Sequence, residues 1–427
     1  MTDRPRLAYL TGEFPRATDT FIQREIAALR ADGFELDTFG VRRTGPEHLV
    51  GPEQREAQAT TTYLLDLART PALVLALLGA AVRAPRRLAA ATALALATKR
   101  PGIRGAVYQL IYLVEAIVLA NELRRRRIDH LHNHFGDSSC TVAMLASAVS
   151  GVPYSFTLHG SAIFYEAYTW RLDAKLDRAA FVATISHFTR SQAAMFAASE
   201  TMERVHIVHC GVEPGRLRPV EHRGQGLHLI FVGRVVEQKG LVVLFEAMRE
   251  LLDDRPGLRL TVVGDGPDRP ALTSLAASMG LGEQVDFVGA KSQNEVVELL
   301  AGADVFVLPS YAEGVPVVVM EALGSAVPVV ASFVGGMAEL VIDDVTGFLV
   351  RPADADQLAD RVGRLVDDPE LRRTLGCAGR DRVIAEFDSR IEASRLGALF
   401  DGHHSGVASP VRPEPAAALG TGAADAG

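Results

Sequence analysis

The stretch AEGVPVVVMEALGSAVPVV, residues 312–330, places two glutamates, Glu313 and Glu321, in an otherwise apolar run. Pro316 suits the first turn of a helix, where its missing N–H costs nothing, and Gly324 suits the end of one. Because the residues between them are apolar on every side, the predicted helix is buried all round. A buried carboxylate without partners is too costly to persist, so Glu321 needs hydrogen-bond donors from the protein or from a ligand.

Two interpretations of these glutamates stay open on the residues alone. Glu313 precedes the helix, where free N–H groups and the helix dipole attract anions. A phosphate bound there, beside two carboxylates that accept hydroxyl groups, would suit a sugar nucleotide. Alternatively, a neighbouring arginine neutralises Glu321, and Glu313 is an ordinary surface residue.

Length and composition favour a two-domain globular enzyme. The chain has 427 residues, of which 48% are hydrophobic and 22% are charged. Its net charge of −8 argues against a nucleic-acid partner. Three widely separated cysteines form neither a disulfide framework nor a Cys-x-x-Cys metal site, which fits a reducing, cytoplasmic compartment. The first 15 residues suggest a strand and not a signal peptide, and the uncharged residues 70–82 fall short of the roughly 20 that a membrane span needs.

Alternating strand and helix patterns predict an α/β protein with two domains, each built on a parallel sheet covered on both faces. A capping box, Thr20-x-x-Gln23, predicts the start of the first helix. The predicted units are a first domain over residues 1–218, a second domain over 227–382, a closing segment over 383–402 and a disordered tail over 403–427. The predicted strands cover residues 7–11, 36–41, 128–131, 154–158, 181–185 and 205–208, and then 227–232, 259–263, 285–288, 305–308 and 327–331.

Residues 60–127 interrupt this alternation and are predicted to be wholly helical. Between residues 83 and 127 the chain carries ten lysines or arginines and two acidic residues. Arginine stems can lie along apolar surface while their charged ends reach phosphates. One hypothesis is therefore that residues 83–127 rest on an anionic membrane surface. The alternative is a helical subdomain packed on the first domain, with solvated arginines.

A second candidate site follows the first predicted strand of the second domain, in VGRVVEQKG, residues 232–240. Gly233 allows a sharp turn, and Arg234 and Lys239 then lie at the carboxyl end of a parallel strand, where such sheets bind ligands. Arginine can fork onto a pyrophosphate and lysine supplies a point charge, although both could also be solvated surface residues. The sequence contains no dinucleotide-binding GxGxxG after a strand and no P-loop motif.

These motifs together resemble a known family. GRVVEQKG, VGDGP, VDFVG, PSYAEGVPVVVMEALGSAVPVVAS and GGMAELVIDDVTGFLV occur in that order. They are similar to the C-terminal domain of the retaining glycosyltransferases of family 4, and Glu313 and Glu321 match the E-x7-E motif of that family. The resemblance implies the GT-B fold, in which two Rossmann-like, doubly wound domains face a cleft and the C-terminal helix crosses back to the first domain.

The first domain resembles the family more loosely. TGEFPRATDTFIQREIAALRADGFEL, HNHFG and FTLHGSAIF are similar to a subgroup that acts on exopolysaccharide and colanic-acid-like repeats. His159 matches the family histidine expected to touch the donor sugar, although a lone histidine is more often structural. His132 and His134 have a metal-like spacing but no evident partner ligands, so we interpret them as structural.

The resemblance also implies roles for individual residues. Arg234 and Lys239 would neutralise the donor diphosphate, Glu321 would hold the ribose, and Glu313 would hold the donor sugar. The catalytic residues implied are His159, Arg234, Lys239 and Glu313. The expected donor-binding residues are Gly12, Gly233, Arg234, Lys239, Val288, Lys291, Glu313, Gly314, Val315, Pro316, Val317, Val318 and Glu321. The reaction implied is transfer, with retention and without a metal or other cofactor, from a UDP- or GDP-sugar to a saccharide or lipid-linked acceptor.

Three other functions remain as alternatives: a sugar-nucleotide epimerase, a phosphorylase of the same fold, and a non-catalytic nucleotide-sugar binding module. The complete set of Arg234, Lys239, Glu313 and Glu321 argues against the epimerase. The motifs encode neither the base, the sugar, the acceptor nor the linkage.

Overall fold

The computed structural model describes residues 4–160, 162–219 and 226–406. Two parallel sheets form the frame, one of seven strands in the order β3-β2-β1-β4-β5-β6-β7 and one of six in the order β10-β9-β8-β11-β12-β13. The strands of the first sheet are β1 Leu7–Phe14, β2 Leu36–Arg43, β3 Thr62–Tyr63, β4 His130–His134, β5 Tyr154–Leu158, β6 Val182–Thr184 and β7 Val205–Ile207. Those of the second are β8 His228–Val232, β9 Arg259–Val263, β10 Val285–Gly289, β11 Val305–Leu308, β12 Val329–Ser332 and β13 Gly347–Val350. The predicted α/β class and the pair of parallel-sheet domains are confirmed.

Each sheet reverses its strand order once, between β1 and β4 in the first sheet and between β8 and β11 in the second. Ligands of open α/β sheets bind outside the carboxyl ends of the strands at such points. Gly12 lies near the end of β1, and Gly233 directly follows β8. The topology therefore puts both at reversal points.

Helices cover both sheets. Those before the second sheet are α1 Thr20–Ala31, α2 Pro52–Thr60, α3 Leu64–Ala68, α4 Ala72–Arg83, α5 Pro85–Ala97, α6 Gly102–Arg125, α7 Ser138–Ser150, α8 Ala162–Tyr165, α9 Leu172–Arg178, α10 His187–Ala194 and α11 Ser199–Met202. The remainder are α12 Leu241–Leu252, α13 Arg269–Ser278, α14 Gln293–Ala301, α15 Val317–Gly324, α16 Met337–Leu340, α17 Ala355–Asp367, α18 Pro369–Glu386 and α19 Ser389–Ser405. Short 3-10 helices cover Pro46–His48, Pro214–Arg216 and Glu237–Lys239.

The last helix, α19, belongs to the core of the first domain although it follows the second in sequence. Leu396, Leu399 and Phe400 are buried with Leu29 and Phe34 from the α1 region. α19 continues through Ser405, three residues beyond the predicted end at residue 402. Residues 407–427 of the predicted tail lie outside the described residues.

The prediction of a wholly helical segment over residues 60–127 is wrong in one respect. Thr62 and Tyr63 form β3, which pairs with β2 at the edge of the first sheet. α5 and α6 pack on α7, and α4 packs on α6, with small buried residues such as Ala76, Ala91 and Ala95 among these helices. Small side chains let these helices approach closely, so part of the segment is an ordinary layer of the first domain.

Within this segment α6 is a helix that the sequence analysis did not recognise as a membrane-span candidate. Residues 102–125 contain no proline and form 24 continuous helical residues, with a mean hydropathy of 1.6 in the most apolar window. By length and composition alone this helix could cross a membrane, but half of that window is buried inside the protein. The core helix of a globular domain has the same properties.

The start of α1 also differs from its prediction. The helix begins at Thr20, with Asp19 in the capping position, so Thr20 and Gln23 form no capping box. The side chain of Gln23 instead accepts a hydrogen bond from Gln54 Nε2 at 3.3 Å. A true capping box occurs at α14, between Ser292 and Glu295.

Glu115 in the middle of α6 gives a test of this packing. Burial raises the pKa of its carboxyl group to about 7, although nearby Arg42 opposes the shift. The folded chain therefore holds this proton while the unfolded chain has already released it, and stability falls as the pH rises from about 4.5 towards 7. We expect Glu115→Gln to match the wild type near pH 4.5 and to be more stable at pH 8, by up to about 3 kcal/mol.

Urea denaturation at both pH values measures the difference. Glu298→Gln, at an exposed position on α14, is the control and should change little at either pH. An unchanged or lower stability of Glu115→Gln at pH 8 would contradict the burial of this carboxyl group.

Candidate functional site

Glu321 lies on α15 and is 7% exposed. Arg24 Nη2, from α1 of the first domain, donates to Glu321 Oε1 at 2.6 Å, and Gln293 Nε2 donates to the same oxygen at 3.3 Å. The guanidinium of Arg24 is itself buried. The buried carboxylate therefore has the arginine partner that one of the two open interpretations required, and that arginine comes from the other domain.

Glu313 lies four residues before α15 and contacts a predicted cation. Lys239 Nζ donates to Glu313 Oε1 at 2.6 Å, and both side chains are mostly buried. Arg234 lies exposed on the same loop after β8. Gly240 ends this loop with a φ of 69°, and a Cβ there would lie 2.0 Å from the carbonyl oxygen of Pro309. Only glycine fits that approach, which brings the loop of Lys239 against the loop that carries Glu313.

The first domain meets this loop directly. A Cβ on Gly314 would lie 2.6 Å from the Cα of Gly160, the residue that follows His159. Glu339 adds a second contact, because its two carboxylate oxygens accept from the backbone N–H groups of His187 and Phe188 at 2.8 Å each. Those N–H groups open α10, where a negative charge is favourable. The described conformation thus has the two domains in contact at the candidate site.

His159 is partly buried between the rings of Phe21 and Phe135, at centroid distances of 4.7 and 5.0 Å. Its Nε2 lies 2.8 Å from Nδ1 of His134, and its Nδ1 lies 3.5 Å from Sγ of Cys210. Burial, followed by the nearby His134, lowers the pKa of His159 well below its ordinary value. His159 is therefore an uncharged imidazole at the edge of the cleft.

His132 and His134 belong to β4, an unusually polar strand, HLHNH, all of whose residues are buried. The ring nitrogens of His132 lie 2.8 Å from Ser155 Oγ and 2.9 Å from Thr157 Oγ1. Potential metal-ligating atoms of Glu25, His132 and His134 all lie within 4.8 Å of one another. Because both nitrogens of His132 already have hydroxyl partners, this group fits a metal poorly, and these contacts support its structural interpretation. That the reaction needs no metal or cofactor stays a prediction.

The remaining predicted residues surround the cleft or its rim. Val317 and Val318 begin α15 and are partly buried behind Pro316, which occupies the capping position. Gly314 and Val315 are buried, Gly12 has open space where a side chain would project, and Val288 lies in β10. Lys291 forms an exposed ion pair with Glu295 at 3.5 Å. The first N–H groups of α15, like those of any helix, have no acceptor within the helix, so they could donate hydrogen bonds to a phosphate.

The sequence analysis missed Arg24, Gln293 and Glu339. Each acts on a residue that is distant in sequence, and motif spacing carries no information about such a partner. The need of a buried Glu321 for a cation was the one signal available. It indicated that a partner exists but could not indicate which of the chain's arginines supplies it.

Chemically, the site combines groups that suit a diphosphate and a polyol. Arg234, Lys239 and the start of α15 supply positive charge, and the carboxylates of Glu313 and Glu321 can accept hydroxyl groups. Opposite them stands the neutral His159 of the first domain.

Comparisons with known proteins agree with this chemistry. The family model Glycosyltransferase Family 4 matches residues 19–216, and the model Glycosyl transferases group 1 matches residues 217–382. The putative colanic acid biosynthesis glycosyltransferase WcaL of Escherichia coli is 28% identical over 92% of this chain and 99% of its own length.

Among solved structures, sucrose-phosphate synthase from Thermosynechococcus elongatus has a TM-score of 0.71 at 20% identity, covering 94% of this chain and all of that chain. Anabaena Alr3699/HepE in complex with UDP-glucose has a TM-score of 0.69 at 16% identity, covering 92% of this chain and 98% of that chain. At such identities these two structures show a shared fold only. The two family models together span most of the chain, which belongs to glycosyltransferase family 4 and is a glycosyltransferase of the GT-B type.

Proposed function

We propose that this enzyme transfers a sugar, with retention of anomeric configuration, from a UDP- or GDP-sugar to a saccharide or lipid-linked acceptor in exopolysaccharide or cell-surface glycan biosynthesis. The observation that carries the proposal is the pair of carboxylates around α15, Glu313 and Glu321. Each is held by a cation at the point where the second sheet reverses its strand order. The likeness to WcaL over nearly the full length of both chains supports the class of pathway.

The diphosphate of the donor would lie between the loop after β8 and the start of α15. Lys239 has three N–H donors, so it can contact a phosphate while one donor stays on Glu313. Arg234 is exposed on the same loop and can turn onto the second phosphate. The amides of Val317 and Val318 add neutral donors aligned with the helix dipole.

The ribose would bind Glu321 through the second carboxylate oxygen. Arg24 and Gln293 both donate to Oε1, which leaves Oε2 for a hydroxyl group. In this arrangement Arg24 holds the carboxylate in place from across the cleft. Nucleotide binding is then sensitive to the contact between the domains.

In the proposed reaction the bond between C1 of the sugar and the leaving phosphate breaks, and a bond to the acceptor oxygen forms on the same face. The acceptor proton passes to a phosphate oxygen of the leaving group. The protein places the reactants and stabilises negative charge on the diphosphate through Arg234, Lys239 and the start of α15. Glu313 would hold hydroxyl groups of the donor sugar, with His159 on the opposite side.

Single substitutions of the two cations test this assignment. We expect Arg234→Ala or Lys239→Ala to lower kcat by about 100-fold or more, because each removes charge that stabilises the leaving group. A screen of UDP- and GDP-sugars, with product NMR to give the anomeric configuration, first identifies the substrate. Arg249→Ala, an exposed arginine on α12, is the matched control and should retain wild-type turnover.

Near-wild-type rates in both variants would contradict the placement of the diphosphate. Products formed from a sugar phosphate alone would instead identify a phosphorylase, and an inverted product would contradict retention.

We also infer that the first domain docks on the cytoplasmic face of a membrane through α4 and α6. These adjacent helices expose apolar side chains, with exposed fractions of 67% for Leu75, 79% for Val82 and 86% for Ile103. Exposed lysine and arginine residues border this surface: Arg83, Arg86, Lys99, Arg100 and Arg104. A large apolar patch edged by cations suits the surface of an anionic bilayer.

Some arginines of this segment are already bonded within the protein, so they are less available to contact lipid. Arg124 Nη2 and Arg87 Nη1 each donate at 2.6 Å to the last carbonyl groups of α7, on Val149 and Ser150. Arg125 pairs with Glu122 at 2.6 Å. These arginines have structural partners, so the lipid contact is assigned to the residues at the loops between α4 and α6.

Flotation with liposomes tests this surface. We expect binding to anionic vesicles that falls steeply with salt, and a loss of about 100-fold in Arg86→Ser/Lys99→Ser/Arg104→Ser, since each cation contributes about 1 kcal/mol. Leu75→Ser/Leu78→Ser should also weaken binding, because it removes exposed apolar area that docking on the membrane would bury. Ile391→Ser, an exposed apolar residue on α19, is the control. Equal binding to neutral vesicles, or none to anionic ones, would contradict membrane docking.

A further inference from the structure

A buried line of polar groups leads from the core of the first domain to His159. Tyr9 on β1 donates from its hydroxyl group to Glu25 Oε1 of α1 at 2.7 Å. The same carboxylate oxygen lies 3.2 Å from His134 Nε2. His134 Nδ1 then lies 2.8 Å from His159 Nε2. Tyr9, Glu25, His134 and His159 therefore form a continuous chain of contacts, which we call the histidine relay.

Tyr9 and Glu25, at one end of the relay, fix where its hydrogens lie. Burial, with the neighbouring Glu25, raises the pKa of Tyr9 well above its ordinary value, so the hydroxyl group keeps its hydrogen and donates it to Glu25. Glu25 Oε1 is therefore an acceptor. His134 Nε2 is buried, and among the described residues it has no aligned hydrogen-bond partner. Glu25, at ion-pair distance, is the acceptor in reach of a hydrogen on that nitrogen.

When His134 carries its single ring hydrogen on Nε2, facing Glu25, its Nδ1 is an acceptor. The facing nitrogen, Nε2 of His159, must then carry a hydrogen, because two unprotonated nitrogens at 2.8 Å would repel each other. Nδ1 of His159 is consequently an acceptor. Its contact in the structure is the Cys210 thiol, whose pKa is raised by burial, so that sulfur keeps its hydrogen and is a weak partner.

We propose that Glu25 and His134 are positioning residues that fix His159 in the Nε2–H tautomer, so that Nδ1 accepts a hydrogen bond from a hydroxyl group of the donor sugar. The sugar hydroxyl replaces the weak thiol contact at 3.5 Å. This inference rests on the proposed function for the identity of the hydroxyl group. The tautomer itself can be measured without substrate.

His132 shows what a purely structural histidine of the same strand looks like. Its ring nitrogens contact the hydroxyl groups of Ser155 and Thr157. Neither contact leads to the cleft, although His132 is as deeply buried as His134. Substitutions of the two histidines can therefore be compared directly, and we expect them to differ in their effect on His159.

Imidazole ¹⁵N NMR of the full chain at pH 8 without substrate tests the relay. His159, assigned through His159→Gln, should show a hydrogen on Nε2 and an unprotonated Nδ1. In His134→Phe, which keeps a ring in the same place, His159 should populate both tautomers. Glu25→Gln, which keeps the side-chain shape, should shift His159 in the same direction. His132→Phe should leave the His159 tautomer unchanged, even where it lowers stability.

Steady-state kinetics then test whether the tautomer of His159 affects use of the sugar donor. We expect kcat/KM for the donor to fall by about 10-fold in His134→Phe, the effect of losing one hydrogen bond, and to stay near wild type in folded His132→Phe. A hydrogen on Nδ1 of His159 in the wild type, or an unchanged tautomer in both His134→Phe and Glu25→Gln, would overturn the relay. A confirmed tautomer in a wild type that turns over no nucleotide sugar would overturn the proposed function and the sugar contact instead.

Discussion

The buried ion pair between Arg24 and Glu321 is the constraint on which the arrangement of the two domains depends. Both charges are removed from water, so each is stable only while it keeps its partner. Because one residue lies on α1 and the other on α15, that requirement fixes where the domains meet. The close approach of Gly160 to Gly314 and the hydrogen bonds of Glu339 to the first amides of α10 occur at the same boundary. The candidate site is therefore assembled by both domains, although most of its motif residues belong to the second.

Much of this fold followed from the sequence, and what did not has physical reasons. The strand β11 was predicted at its observed bounds because a buried parallel strand is a continuous apolar run between turns. The two-residue strand β3 was missed because two residues carry no periodicity. Thr20 and Gln23 matched a capping pattern, but Asp19 occupies the capping position one residue earlier. For the site, the motifs located Glu313, Glu321 and Lys239, whereas Arg24 and Glu339 are joined to their partners only by the tertiary structure.

Polar groups in both halves of the molecule are held in defined states by neighbours rather than by solvent. Lys239 holds Glu313, and the polar strand β4 is tolerated because hydroxyl groups satisfy the ring nitrogens of His132. Such preorganisation suits a reaction in which the protein mainly places reactants and stabilises charge. The helical segment before β4 has an inner face that belongs to the core and an outer face that stays apolar.

The most direct test of the central claim is a calorimetric double-mutant cycle on nucleoside diphosphate binding. Titrations of UDP and GDP into wild type, Arg24→Ala, Glu321→Ala and the double variant measure whether Arg24 acts through Glu321. We predict that one of the two nucleotides binds the wild type and that each single variant binds at least about 10-fold more weakly. The double variant should be no weaker than Glu321→Ala, because both changes act on one carboxylate. Fully additive losses, or a wild type that binds neither nucleotide, would contradict a nucleotide site built around this ion pair.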